Sequence, residues 1–138
     1  HFKRFNDRYG HDVGDEVLKM VAAALGKAKA GAFRFGGEEF TLVFPGKDMA
    51  QAKAEAEQVR VAVSRSSFTI RNPARKKGKT DVSAKTKPGK RKQVSVTVSI
   101  GLAQRSSRRP SPEAVLKAAD KALYRAKKNG RNRTEIVG

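Results

Sequence analysis

Between Gln93 and Gln104 the chain reads QVSVTVSIGLAQ. Val94, Val96, Val98, Ile100 and Leu102 alternate with Ser95, Thr97, Ser99 and Gly101. A period of two gives one apolar face and one small polar face only in an extended strand. A domain carrying this stretch must contain a sheet with other elements packed on its apolar side.

Those elements can be read from the rest of the chain. Val17, Met20, Val21, Ala24, Leu25 and Ala28 recur at helical spacing, so a helix is expected over about 12–27, with Asp12 as its cap. Met49, Ala52, Ala56, Val59 and Val63 mark a second helix over about 48–65. Ser111 followed by Pro112 starts a third, because proline at the first helical position loses no hydrogen bond. Val115, Leu116, Ala119, Leu123 and Ala126 are expected to face the core, and Gly130 to end the helix. The opening HFKRFNDRYGHD reads as a short helical or looped segment closed by Gly10.

Residues 31–45 form a hairpin candidate. Phe33 and Phe35 flank Arg34, while Phe40, Leu42 and Phe44 alternate with Thr41 and Val43. Gly36 and Gly37 stand between the runs and suit the positive φ angles of a tight turn. SFTI and TEIV are short strand candidates. The order helix, hairpin, helix, strand, strand, helix, strand predicts an α/β (α+β) fold, with a mainly antiparallel central sheet flanked by helices. No internal repeat is visible.

At 138 residues the chain suits a single domain over 1–138. The formal net charge of +18 calls for an anionic partner or a solvated basic segment. Residues 71–92 hold ten Lys/Arg and one Asp, so this segment alone carries +9, half the total. Its prolines, glycines and near-absence of apolar residues read as an inserted loop. No aromatic residues interleave with its lysines, as a stacking platform for single strands requires, so no nucleic-acid partner is expected. Cysteine is absent, which excludes disulfides, thiolate metal sites and a cysteine nucleophile, and fits a reducing cytoplasm. No apolar run is long enough to span a membrane.

The residues with chemistry cluster at the hairpin. In FRFGGEEFTLVF, Glu38 and Glu39 follow the two glycines. They read either as a solvated turn or as carboxylates for a hard cation, which takes a few oxygen ligands and completes its shell with substrate phosphates. On a strand, neighbouring side chains point to opposite faces, so only one of the pair could serve a given site.

RFGGEEF resembles the signature of the GGDEF family of diguanylate cyclases, in its GGEEF form. HFKRFNDRYGHDVGD, VTVSIGLA and ADKALYRAKKNGRN resemble three further motifs of that family, in the same order. The resemblance covers nearly all of the chain except 71–92. It implies a palm-like fold shared with nucleotide cyclases. It also implies a nucleotidyltransferase reaction: two GTP condense into cyclic di-GMP and release two pyrophosphates, at the interface of a homodimer.

The resemblance assigns Glu38 to Mg²⁺ (or Mn²⁺) and catalysis, with Glu39 supporting metal binding or proton transfer. Asn6 and Asp15 match the guanine-reading pair. Phe2 and Lys3, through their backbone N–H groups, and Lys121 and Arg125, through their side chains, match phosphate contacts. Gly37 lets substrate pack on the turn and Gly36 serves the turn itself. His1 and His11 receive no catalytic role.

Simpler alternatives stand beside these: Asp15 as a first-turn charge, Asn6 as a turn residue, Lys121 and Arg125 as a solvated stripe. In the family, the first motif reads on from a strand ending Asp-x-Asp, which would precede His1 and bring a metal-binding aspartate. A product-inhibition motif, R-x-x-D, is matched here by Lys27 and Ala30. A lysine lacks the bidentate guanidinium fork, so the usual allosteric product site is expected to be absent. The resemblance further implies a cytoplasmic catalytic part of a longer signalling protein.

Overall fold

The computed structural model describes residues 1–70 and 92–137. The basic insertion, apart from Lys92, lies outside the described residues. Along the chain run α1 (Phe2–Tyr9), α2 (His11–Leu25), β1 (Gly31–Gly36), β2 (Glu39–Val43), α3 (Met49–Arg65), β3 (Ser67–Ile70), β4 (Lys92–Ser95), β5 (Ile100–Ala103), α4 (Pro112–Lys128) and β6 (Thr134–Val137).

The expected mixture of helices with mainly antiparallel strands is present. The strands pair as three two-stranded ribbons: β1–β2 and β3–β4 antiparallel, β5–β6 parallel. The parallel pair is joined through α4, since parallel neighbours need a crossover rather than a hairpin.

The long alternating stretch that reads as one strand is divided. Its beginning, β4, pairs with β3, and its end, β5, pairs with β6. Residues 96–99 between them belong to no ribbon. Alternation reports which side chains are buried, not which chain supplies the hydrogen bonds. Accordingly Val96 and Val98 still pack on the core, beside Val21, Leu25, Val59 and Val63.

Three helix starts show how capping is divided. Asp12 does not cap α2; Gly10 occupies that position, with no side-chain hydrogen bond, and Asp12 lies in the first turn. α3 is closed by a reciprocal box in which Asp48 Oδ1 accepts from Gln51 N at 2.8 Å and Gln51 Oε1 accepts from Asp48 N at 3.1 Å. α4 starts as the sequence indicates, with Ser111 Oγ accepting from Ala114 N at 3.2 Å.

On α4 the most deeply buried residues are Ala118, Ala122 and the expected Ala126, while the expected Val115, Leu116, Ala119 and Leu123 are half-buried. The reason lies opposite. A Cβ built at Gly101 of β5 would overlap the Ala119 carbonyl oxygen and the Leu123 amide nitrogen, and would stand 2.8 Å from Leu123 Cα. Helix backbone rests directly on strand backbone, and only small side chains permit that approach.

α3 is tied to the turn before β6 by one arginine. Arg60 Nη1 donates to Asn132 Oδ1 at 2.8 Å and to its carbonyl at 3.2 Å. Arg60 Nε donates to Glu57 Oε2 at 2.9 Å and holds that carboxyl below the usual carboxylate range. The Thr134 hydroxyl beside it adds a smaller pull the same way.

A depressed pKa means the folded state favours the charged form. The contribution is therefore fully present above glutamate's ordinary 4.5 and is lost as pH falls through the lowered folded value. Glu57→Gln is expected to be less stable than the parent at neutral pH, with the gap closing as pH drops through the carboxylate range. Urea melts at stepped pH would read this, and a gap independent of pH would contradict it.

Candidate nucleotide site

The hairpin turn differs in detail from its sequence reading. Gly36 pairs with Glu39, so the two-residue tip is Gly37 and Glu38 rather than the glycine pair. Gly37 takes φ +53°, which favours glycine there. The register shifts between Arg34 and Gly36, a bulge at Phe35.

Glu38 thus sits on the turn itself, and strand alternation does not govern where it points. It is exposed and makes no hydrogen bond or ion pair among the described residues. Glu39, the first residue of β2, meets Lys127 Nζ of α4 at 3.4 Å. The two adjacent carboxylates therefore differ: one is free at the tip and the other is tied to α4.

Arg34 was not singled out in the sequence, yet it closes the turn. Its Nη2 and Nε donate to the Gly37 carbonyl at 2.7 and 3.2 Å. The signal was present: an arginine three residues before the second glycine can reach across a two-residue turn. The register also explains the phenylalanines. Phe40 and Leu42 face the core, while Phe33 lies opposite Thr41 on the outer face. Phe33 and Phe35 are 61% and 69% exposed, so the aromatic run is not core.

The guanine-reading candidates lie at the α1–α2 junction. Asn6 is half-buried on α1, and its Oδ1 is buried with no hydrogen-bond partner among the described residues. Asp15 is exposed on α2, next to the buried Gly14. Phe2 and Lys3 open α1. The first amide donating back into that helix is that of Phe5, to the His1 carbonyl at 3.1 Å, which leaves the N–H groups of Phe2 and Lys3 without intrahelical acceptors. Phe2 stacks on Phe5, with ring centroids 6.3 Å apart and planes 4° apart.

On α4, Lys121 is exposed and unpaired among the described residues. Arg125 is exposed, but its Nη2 donates to the Ile136 carbonyl at 2.9 Å, so it is held against β6. No hydrogen bond or ion pair among the described residues links Asn6 or Asp15 to Glu38. Lys27 is exposed and Ala30 half-buried in the turn leading to β1.

The family model described as "Diguanylate cyclase, GGDEF domain" matches residues 1–83 and 74–133. The chain belongs to the GGDEF diguanylate cyclase family. It is 38% identical over 140 aligned positions to the response regulator PleD of Caulobacter vibrioides, covering 99% of this chain and 27% of that protein. The chain thus spans about a quarter of that relative's length.

Among solved structures it resembles the GGDEF domain of DgcB from Caulobacter crescentus in complex with c-di-GMP. The TM-score is 0.80 at 34% identity, with 99% of this chain and 71% of that chain covered. It also resembles the active GGEEF domain of a diguanylate cyclase from Vibrio cholerae, with a TM-score of 0.77 at 29% identity over 99% and 76% of the two chains. Among the described residues, no helix is long and apolar enough to cross a membrane.

The family implies a divalent cation, and the residues offer a minimal fit. Among the described residues no group of three or more His, Asp or Glu could hold a metal ion. Mg²⁺, however, is commonly held by one or two carboxylates plus substrate phosphates and water. Glu38, exposed, without a hydrogen bond or ion pair among the described residues and next to Gly37, is a carboxylate of the kind such a cation could take.

Proposed function

We propose that the chain is a diguanylate cyclase domain that condenses two GTP into cyclic di-GMP and two pyrophosphates. Two copies meet face to face, each presenting one GTP. The 3′-hydroxyl of one nucleotide attacks the α-phosphate of the other, a P–O bond forms, and the bond to pyrophosphate breaks.

The observation that carries this reading is the uncommitted Asn6 Oδ1. A buried acceptor without a donor is costly, and the guanine 2-amino group supplies one. Asp15, one residue beyond Gly14, can accept from guanine N1–H and the same amino group. A site built on such hydrogen bonds rejects bases that lack them.

The N–H groups of Phe2 and Lys3 suit an anion at the start of α1. Lys121 places a point charge, and Arg125 a guanidinium, on one face of α4, where they offset charge on the departing pyrophosphate. Glu38 would hold Mg²⁺ (or Mn²⁺), which when bound would supply Lewis-acid chemistry at the phosphate and the attacking hydroxyl. Gly37 leaves the turn open to substrate, Gly36 serves the turn, and Glu39 orients α4 toward it through Lys127. With Lys27 and Ala30 in place of the product-inhibition pair, product binds at the guanine half-site.

A second reading is a silent module that binds GTP or cyclic di-GMP without turnover. It is favoured by the isolation of Glu38 from further carboxylates among the described residues. Incubation of the full chain with GTP and Mg²⁺, followed by chromatography, tests both. Cyclic di-GMP and pyrophosphate in a one-to-two ratio are expected. Tight GTP binding without product would leave the silent module, and neither binding nor product would defeat both.

A further inference from the structure

Gly14 stands at the fourth position of α2, where glycine is the poorest helix former after proline. It is buried against α1 rather than exposed. A Cβ there would overlap Asn6 Oδ1, and would stand 2.9 Å from Asn6 Cγ and 3.2 Å from Phe2 Cζ. The volume that any other residue would fill is occupied by the Asn6 amide. That amide makes no side-chain hydrogen bond among the described residues, so packing rather than bonding holds it. Asp15 follows Gly14 directly, so the same backbone segment positions both groups assigned to the base.

We propose that Gly14 is a positioning residue for base selection: its missing side chain seats the Asn6 carboxamide so that Oδ1 meets the guanine 2-amino group. The inference rests on the reading of Asn6 as a guanine contact. It predicts a particular loss. Hypoxanthine has the guanine O6 and N1–H but lacks the 2-amino group, so a nucleotide carrying it never uses the Oδ1 contact.

The test is calorimetric titration of the full chain with non-reacting α,β-methylene analogues of GTP and ITP. Gly14→Ala is expected to weaken the GTP analogue about tenfold, the worth of one hydrogen bond to a buried group. The ITP analogue should bind as in the parent, so the preference between the two collapses. In an Asn6→Ala background the same glycine substitution should change neither affinity, because the overlapping atoms are gone.

Equal loss for both analogues, no loss at all, or a further loss in the Asn6→Ala background would each overturn the proposal. Collapse of the preference in Asn6→Ala but not in Gly14→Ala would overturn this inference alone. A preference untouched by Asn6→Ala would overturn the guanine reading together with it. If Gly14→Ala does not fold, circular dichroism of Asn6→Ala/Gly14→Ala decides: a regained fold supports the shared space, and a lost one overturns it.

Discussion

Gly101→Ala is expected to lower the stability of the domain by about 3 kcal/mol, the upper part of the range for overpacked sites. The added methyl meets the Ala119 carbonyl, the Leu123 amide nitrogen and Leu123 Cα, all of them helix backbone. A side-chain end could rotate aside, but a helix must move as a body. Moving α4 outward uncovers Ala118, Ala122 and Ala126 and loosens its contacts with β5 and β6.

Against a typical total of about 5–15 kcal/mol, such a loss is large. For a chain of this size it corresponds to a fall of roughly 10 °C in Tm. Gly36→Ala is the internal control. Nothing lies within 4 Å of a Cβ there, and its φ is not positive, so its stability should stay within about 0.5 kcal/mol of the parent. Thermal melts followed by circular dichroism measure both. A Gly101→Ala variant melting with the parent would show that α4 does not rest on β5 as described.

The second large effect is on chemistry rather than stability. Glu38→Gln is expected to reduce cyclic di-GMP formation about a thousandfold. Losing a metal's charge stabilisation at the transition state costs several kcal/mol, and each 1.4 kcal/mol is about tenfold in rate. The amide keeps the size of the side chain and removes its charge. Because Glu38 is exposed and partnerless among the described residues, the melt should not move by more than about 0.5 kcal/mol.

Glu39→Gln should behave differently. It breaks an exposed ion pair to Lys127 at 3.4 Å, worth at most about 1 kcal/mol, and leaves the tip carboxylate in place. Chromatographic rates for the two variants separate the roles. Equal losses would mean that the turn acts as a unit, and an active Glu38→Gln would remove Glu38 from the mechanism.

Much of the domain was legible in consecutive residues. The buried positions of α3 are those of its helical spacing, Ala52, Ala56, Val59 and Val63. Ser111 and Pro112 start α4 as their chemistry requires. The hairpin lies where the glycine pair placed it, although its tip is one residue further on. That shift comes from a bulge, which depends on cross-strand pairing and leaves little trace in a single run of sequence. Leu18, buried on α2, was missed because it lies at the flank of the apolar stripe.

By itself the sequence determined the kinds of element and the family. Periodicity, capping and motif spacing are properties of residues close together along the chain. Only the tertiary structure decided that the valine-rich stretch serves two ribbons, that the α4 backbone at Ala119 and Leu123 rests on β5, and that Gly14 and Gly101 serve close approach rather than turning. These depend on how closely two backbones distant in sequence approach. That distance is set by the side chain missing from one and the atoms present on the other.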